Sequence, residues 1–421
     1  MTLKDRLKAQ IAAAGPMSVA QYMTACLFDP EAGYYATRPR LGADGDFITA
    51  PMVSQMFGEL LGLWAAQAWS GLGSPAPVRL VEVGPGDGTL MLDALRAARA
   101  APGFLDAIEL VLVEVSEPLR AMQAERLADA PVKPRWIANL SELPEGPPVI
   151  LIANEVLDCL PARQFMVTGE GWSERVVGLN HKGDLTFGAL PPRGGEERSA
   201  KPSDRQRFVD RSDERRSVSD GRAGWVGGGP AEPTQMAQVG AAPIGDRPRS
   251  APDAPPPLPL PPREGGIVEV SAAQQAFGAV VGEMVKRDTG AALLIDYGRD
   301  APGYGDTLQA LKCHHKVDPL ASPGEADLTV HADFPAVLAA AREAGAAATP
   351  ILAQGNFLRR LGIDQRAAAL ARARPDKTET ISRQLQRLVG DREMGRLFKA
   401  AAIHWPASPV PPGFEQAVEE A

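Results

Sequence analysis

Cysteine is scarce in this chain: Cys26, Cys159 and Cys313 are the three among 421 residues. They lie far apart and form no C-x-x-C pair, which excludes a disulfide framework and points to a reducing compartment. Histidine is nearly as rare, with five residues, and only His314 and His315 adjoin. Adjacent positions of an extended chain face opposite ways, so this pair does not suit a shared ion, and no metal site is expected. An excess of positive charge is missing too. The formal net charge of −8 argues against a surface devoted to phosphates, and no nucleic-acid partner is expected. No apolar run approaches the roughly 20 residues that span a bilayer, so membrane insertion is not expected. The N-terminus shows no signal-peptide pattern. What is present is 44% hydrophobic residues, over a length that can bury one large core or two modest ones.

The stretch Val78 to Leu90, VRLVEVGPGDGTL, organises the rest. Val78, Leu80, Val81 and Val83 form the apolar run of a parallel strand covered on both faces. Gly84, Gly86 and Gly88 then allow backbone conformations that a Cβ resists and leave room for a ligand against the main chain. The helix opening near Thr89 turns its free N–H groups toward that turn. Glu82 stands two positions before the first glycine. A dinucleotide fingerprint asks for G-x-G-x-x-G so that a pyrophosphate sits on the helix end. Here the spacing is G-x-G-x-G, with Thr89 where the third glycine would fall. That disfavours a nicotinamide cofactor, and strand, acid and three glycines together point to a nucleotide-like ligand.

Three further apolar runs continue the pattern. Ile108 to Val115 reads as a second parallel strand bearing Glu114, placed to accept hydrogen bonds from ribose hydroxyls. A short third strand around Val132 to Ile137 leads to Asn139, whose amide suits either an adenine edge or a tight turn. Pro148 to Ala153 is the fourth strand and runs into Asn154, Glu155 and Asp158. Ligands of open α/β sheets bind outside the carboxyl ends of the strands, so these residues stand where chemistry is expected. Carboxylates there can grip a guanidinium bidentately. The competing reading is helix capping by Asn154 with Glu155 in the first turn. Ala291 to Asp296 is a fifth buried strand.

Around this frame, Leu3, Leu7 and Ile11 mark a helix stopped by Gly15-Pro16, and Ser18 caps a second helix through Cys26. A Pro/Gly/Asp-rich loop containing GDFITAP follows and is a candidate to touch ligand. Thr49 or Ser54 caps the helix carrying Met56, Phe57, Leu60, Leu61 and Trp64. Apolar alternation from Ala162 to Leu190 predicts two or three antiparallel strands. Residues 191–264 are rich in Arg, Asp, Ser, Gly and Pro without periodicity, and a dispensable disordered insertion is expected. Order returns at Ile267 to Ser271, with Ser271 capping a helix through Val285. The segment from Asp306 to Phe334 reads as loop with one late strand at Asp327 to Val330. The remainder reads as helical, with Met394, Leu397 and Phe398 in the core. The expected domains are a helical brace at 1–75, a Rossmann-like domain at 76–160 and 265–421, and an inserted β-layer at 161–190.

The motifs GDFITAPMVSQMFGE, VEVGPGDGTLM, ANEVLDCLPARQF, LLIDYG, DTLQA with His-x-x-x-Asp-Pro, PGEADLTVHADF and NFLRRLGI occur in this order. Together they resemble the MidA family, which includes the mitochondrial complex I assembly factor 7 proteins. The resemblance covers nearly all of the chain outside the insertion. It implies a class I seven-stranded fold that binds S-adenosyl-L-methionine (SAM), with Glu82, Gly84, Gly86, Gly88, Glu114 and Asn139 around the cofactor. It also implies protein arginine methylation of a complex I subunit, with Asn154, Glu155 and Asp158 holding the acceptor. A non-catalytic assembly chaperone, or a methyltransferase for lysine or a small molecule, are the alternatives. Two departures stand out. Asp87 replaces the Arg usual between the last two glycines, which adds negative charge beside the cofactor. Val156-Leu157 replaces aromatic residues in the fourth-strand motif. The chain starts near the family's first helix, which implies a bacterial cytoplasmic member. The oligomeric state is not legible.

Overall fold

Val78–Val83 is buried at every position, as is Val149–Asn154, and such uninterrupted burial needs covered sheet faces on both sides. These two are strands β1 and β4 of a sheet with β2 (Ile108–Val113), β3 (Arg135–Ile137), β5 (Gly290–Arg299), β6 (Ala347–Ala348) and β7 (Phe398–His404). The order is β6-β7-β5-β4-β1-β2-β3. β1 to β5 run parallel. β7 runs antiparallel to both neighbours, β5 and β6. Two-residue strands at Ala332–Asp333 and Leu352–Ala353 add to its margins. This computed structural model describes residues 1–37, 49–168, 171–190 and 266–415. The fold is the expected α/β class I architecture, a doubly wound seven-stranded sheet.

The described residues fall into two compact units, interleaved along the sequence. One takes those within Met1–Arg38, Leu160–Ala273 and Pro302–Val330; the other those within Pro39–Cys159, Gln274–Ala301 and His331–Ala421. The packing division therefore differs from the sequence boundary at 75. Met17–Ser18 pairs with Val176 and Val177 of the added β-layer, which draws the first helices into that unit. Helix Gln55–Gly71 instead packs on the helix that follows β1.

The first unit holds helices Leu3–Ala14 and Val19–Phe28, each opened by a capping box, on Thr2 and on Ser18. Its antiparallel sheet joins Arg163–Thr168, Gly171–Leu179 and Leu185–Leu190, as the alternation predicts. Ile267–Val270 adds a fourth partner along Arg163–Thr168. The stretch read as loop differs from expectation. Gln309–Lys312, His315–Val317 and Asp327–Thr329 form a three-stranded sheet, with Cys313 and His314 in the left-handed turn between the first two. Strands this short leave little periodicity to detect. Among the described residues no group of three or more His, Cys, Asp or Glu is placed to hold a metal ion. No described helix is long and apolar enough to cross a membrane. The 191–264 insertion lies outside the described residues.

In the second unit Ser54 caps helix Gln55–Gly71 by accepting from Met56 N, whereas Thr49 makes no side-chain cap. Gly58 and Gly62 of that helix lie directly against helix Thr89–Ala98. A Cβ on Gly58 would stand 2.7 Å from Asp93 Cβ, and one on Gly62 would stand 2.6 Å from Ala94 Cα. This contact seats the helix that carries the glycine turn. The segment Phe398–His404, read as helical, is β7. Its run of alanines has helix propensity, but the slot between β5 and β6 takes it as a strand buried from Lys399 on. Leu397 is exposed rather than core.

Gly62→Val should push the two helices apart at a cost of about 1–3 kcal/mol. The expected outcome is a lower urea midpoint with an unchanged slope, read by far-UV circular dichroism.

Candidate functional site

Strand register brings the site together. Val83 is level with Val113 and with Ala153, Val113 with Ile137, and Asn154 with Ile295. β1 to β4 thus end along one edge, where the pairing of β5 with β4 also stops. The residues just past that level include Gly84, Glu114, Asn139 and Glu155, with Asp296 on the part of β5 that runs on beyond it.

The turn after β1 needs glycine. Gly84, Gly86 and Gly88 have φ of +64°, +57° and +84°, the left-handed region where a Cβ is strained. A Cβ on Gly84 would also come within 3.0 Å of Val156 Cγ2. Gly88 precedes helix Thr89–Ala98, and Asp87 caps it by accepting from Thr89 N at 3.0 Å. Arg126 pairs with the same carboxylate at 3.0 Å and contacts the Thr89 hydroxyl. The charge that Asp87 brings is therefore matched by Arg126, and the helix end where a pyrophosphate would sit already holds a carboxylate.

Glu82, the penultimate residue of β1, is almost wholly buried, and its Oε2 has no hydrogen-bond partner. Burial, then the charges of Asp87 and Glu114, push its pKa up to about 8. Glu114 sits just past β2, buried, with Oε1 accepting from Ser116 N at 2.8 Å and Oε2 from Gln123 Nε2 at 3.1 Å. Burial raises its pKa against those hydrogen bonds. Gln123 is a residue that sequence reasoning misses. Fully buried, it also donates to Gly86 O at 2.8 Å and accepts from Trp136 Nε1 at 2.8 Å. One side chain thus ties the glycine turn, the acid after β2 and the β3 indole. Asn139 lies two residues past β3. Its side-chain oxygen accepts from Ser141 N at 3.0 Å, and Glu142 closes a capping box on its own N–H.

Past β4 no helix begins, so Asn154 and Glu155 are not capping residues there. Asn154 is the last strand residue, and its Nδ2 donates to Glu155 Oε1 at 3.0 Å while its buried Oδ1 has no partner. Glu155 adopts φ +56°, rare for a residue with a long side chain. It is held there by its N–H to Ile295 O at 2.9 Å and by Ala50 N, which donates to Oε1 at 3.2 Å. Ala50 belongs to the described end of the GDFITAP segment; positions 45–48 lie outside the described residues. Asp158 N donates to Asp296 Oδ2 at 3.3 Å. The structure brings Asn154, Glu155 and Asp158 onto one short loop at the same edge as Glu82, the glycine turn and Glu114.

Glu82 makes stability depend on pH. Its ordinary value is 4.5 and its folded value about 8, so the folded chain holds a proton that the unfolded chain releases. Stability from this group is complete below pH 4.5, falls as pH rises and is exhausted above about 8. Glu82→Gln should remove this slope, so its melting temperature gains on the parent between pH 5 and 9, read by scanning calorimetry.

Comparison with known proteins extends the geometry. Residues 60–352 match the family described as S-adenosyl-L-methionine-dependent methyltransferase. The mitochondrial protein arginine methyltransferase NDUFAF7 homolog of Drosophila melanogaster is 31% identical, over 96% of this chain and 84% of its own. NDUFAF7 of Homo sapiens, also a mitochondrial protein arginine methyltransferase, is 31% identical over 94% of this chain and 81% of its own. A Burkholderia thailandensis protein crystallised with S-adenosyl-homocysteine superposes with a TM-score of 0.71 at 27% identity, over 99% of this chain and 93% of that one. With a matching family profile over most of its length and relatives above 30% identity along nearly all of it, the chain belongs to the S-adenosyl-L-methionine-dependent methyltransferases of the NDUFAF7 type.

Proposed function

We propose that this methyltransferase modifies an arginine side chain on a core subunit of respiratory complex I. The observation that carries the arginine is the loop past β4, where Asn154, Glu155 and Asp158 stand together at the cofactor edge. The relatives' names as protein arginine methyltransferases support it.

The residues present fit the cofactor. The glycine turn offers main chain without Cβ atoms, and the partnerless Glu82 Oε2 is a buried acceptor suited to a cationic ligand group. Glu114 spends two of the roughly four lone-pair sites of a carboxylate on N–H groups, leaving capacity for ribose hydroxyls. Asn139, two residues past β3, would read the adenine edge. When bound, SAM supplies an electrophilic methyl on a cationic sulfur. The chain's own part is positioning. Glu155 and Asp158 grip the acceptor guanidinium and aim one nitrogen, and Asn154 steadies Glu155. A guanidinium with pKa above ~12 is not deprotonated beforehand by carboxylates. As that nitrogen took the methyl, the methyl's bond to sulfur would break to leave a neutral thioether, and the guanidinium would give up one N–H proton to Glu155, Asp158 or water, with the paired acids offsetting the charge meanwhile.

The deciding experiment mixes the protein, SAM and purified complex I core subunits and reads methylarginine by mass spectrometry. Methylarginine on one subunit supports the proposal; label only on lysine or on small molecules defeats the arginine acceptor. Glu155→Gln and Asp158→Asn should each lower kcat by about 100-fold while SAM Kd stays within about threefold. Full transfer by both variants would overturn their roles. By titration calorimetry, Gly86→Val should lose SAM binding, and Gln123→Leu should weaken it roughly tenfold by stranding three buried polar partners. In buffers of differing ionisation heat, SAM binding near pH 7 should release protons, since a bound cation favours charged Glu82.

A further inference from the structure

Asp296 is a carboxylate with no exposed surface, at the outer part of β5. Burying such a charge is costly unless its oxygens are fully engaged. Its partners are main-chain N–H groups. Oδ2 accepts from Leu157 N at 2.7 Å and Asp158 N at 3.3 Å, and Oδ1 accepts from Tyr297 N at 2.7 Å. The loop is gripped from a second side. Gln274, buried to 1% exposure, donates through Nε2 to Leu157 O at 2.9 Å and to His331 O at 3.4 Å. Its Oε1 accepts from Asp333 N at 2.8 Å. Both main-chain groups of Leu157 are thus held by buried side chains from elsewhere in the unit, 117 and 139 positions away.

We propose that Asp296, with Gln274 as the opposing grip, is a positioning residue that fixes the loop Glu155–Asp158 so that its acids meet the acceptor. The role rests on the reading of Glu155 and Asp158 as acceptor ligands. Leu157 lies between those two acids, and Glu155 itself occupies a strained left-handed conformation that needs fixed neighbours. An asparagine would not substitute. Three N–H donors need both oxygens, and an amide nitrogen would face at least one of them. Burial pushes the Asp296 pKa up to about 7 against the pull of the N–H groups of Leu157, Tyr297, Asp158 and Val156.

The test compares the parent, Asp296→Asn, Glu155→Gln and the double variant in the full chain. Three readouts are taken: amide hydrogen exchange, SAM affinity, and transfer of tritiated methyl from SAM to purified complex I core subunits. In Asp296→Asn, exchange at Leu157 and Asp158 should rise at least roughly tenfold while β1 and β4 stay protected. SAM Kd should stay within about threefold and kcat should drop by about 100-fold. Adding Glu155→Gln should cost little more, because both changes disable one unit. Unchanged exchange, transfer within threefold of the parent, SAM affinity lost along with transfer, or fully additive losses would each overturn the role. If Asp296→Asn does not fold, Gln274→Met carries the same measurements from the other side of Leu157. A parent that binds SAM but methylates no subunit defeats the functional reading alone, and the exchange result still decides Asp296.

Discussion

Parallel strands that stop at the same level leave a row of loops facing one way. In this protein that shared level is set by backbone pairing alone, since Val83, Val113, Ile137, Ala153 and Ile295 lie side by side or one step apart in register. A shift of one residue in β4 would turn Asn154 to the other face and carry Glu155 away from Ala50. The buried apolar residues Val78, Leu80, Val81 and Val83 of β1 and Val149 to Ala153 of β4 make slippage costly and so protect the site from a distance. The glycine turn, Glu114 and the loop Glu155–Asp158 all inherit their positions from this ladder.

Carboxylates concentrate at that edge, and their surroundings differ. Glu82 has a bare buried oxygen, Glu114 shares its oxygens between Ser116 and Gln123, and Asp296 is surrounded by main-chain N–H groups. Burial raises the pKa of all three, yet only Glu82 lacks a donor on one oxygen. In the proposed reading a ligand's cation meets Glu82, while Asp296 holds protein and Glu114 meets neutral hydroxyls. Asp87 belongs to a different class, because Arg126 and the helix end absorb its charge.

Much of this was legible before any coordinates. β1, β2, β4 and β5 are β-branched or leucine-rich runs whose periodicity allows little else, and the acid–glycine spacing marks the ligand edge. β7 escaped because FKAAAIH carries no strand signal of its own; its neighbours impose the conformation. Gln123, Gln274 and the main-chain grip of Asp296 escaped for another reason. Apart from Tyr297 beside Asp296, the partners named lie between 9 and 139 positions away, and no local pattern encodes such pairings. The acid at the end of LLID was the one visible hint. The capping reading of Asn154 failed because the chain past β4 is held by side-chain grips rather than by helical hydrogen bonds.

The reversed β7 has a consequence for how the chain is made. Until residues 398–404 leave the ribosome, β5 has a bare edge and β6 has no strand to lean on. The cofactor turn and its parallel core can assemble earlier, from segments already synthesised, but the sheet stays open on one flank throughout translation. That flank is an apolar, unpaired strand of the kind that recruits other chains. A chain cut short before Phe398 would therefore carry an adhesive edge where β7 otherwise pairs with β5.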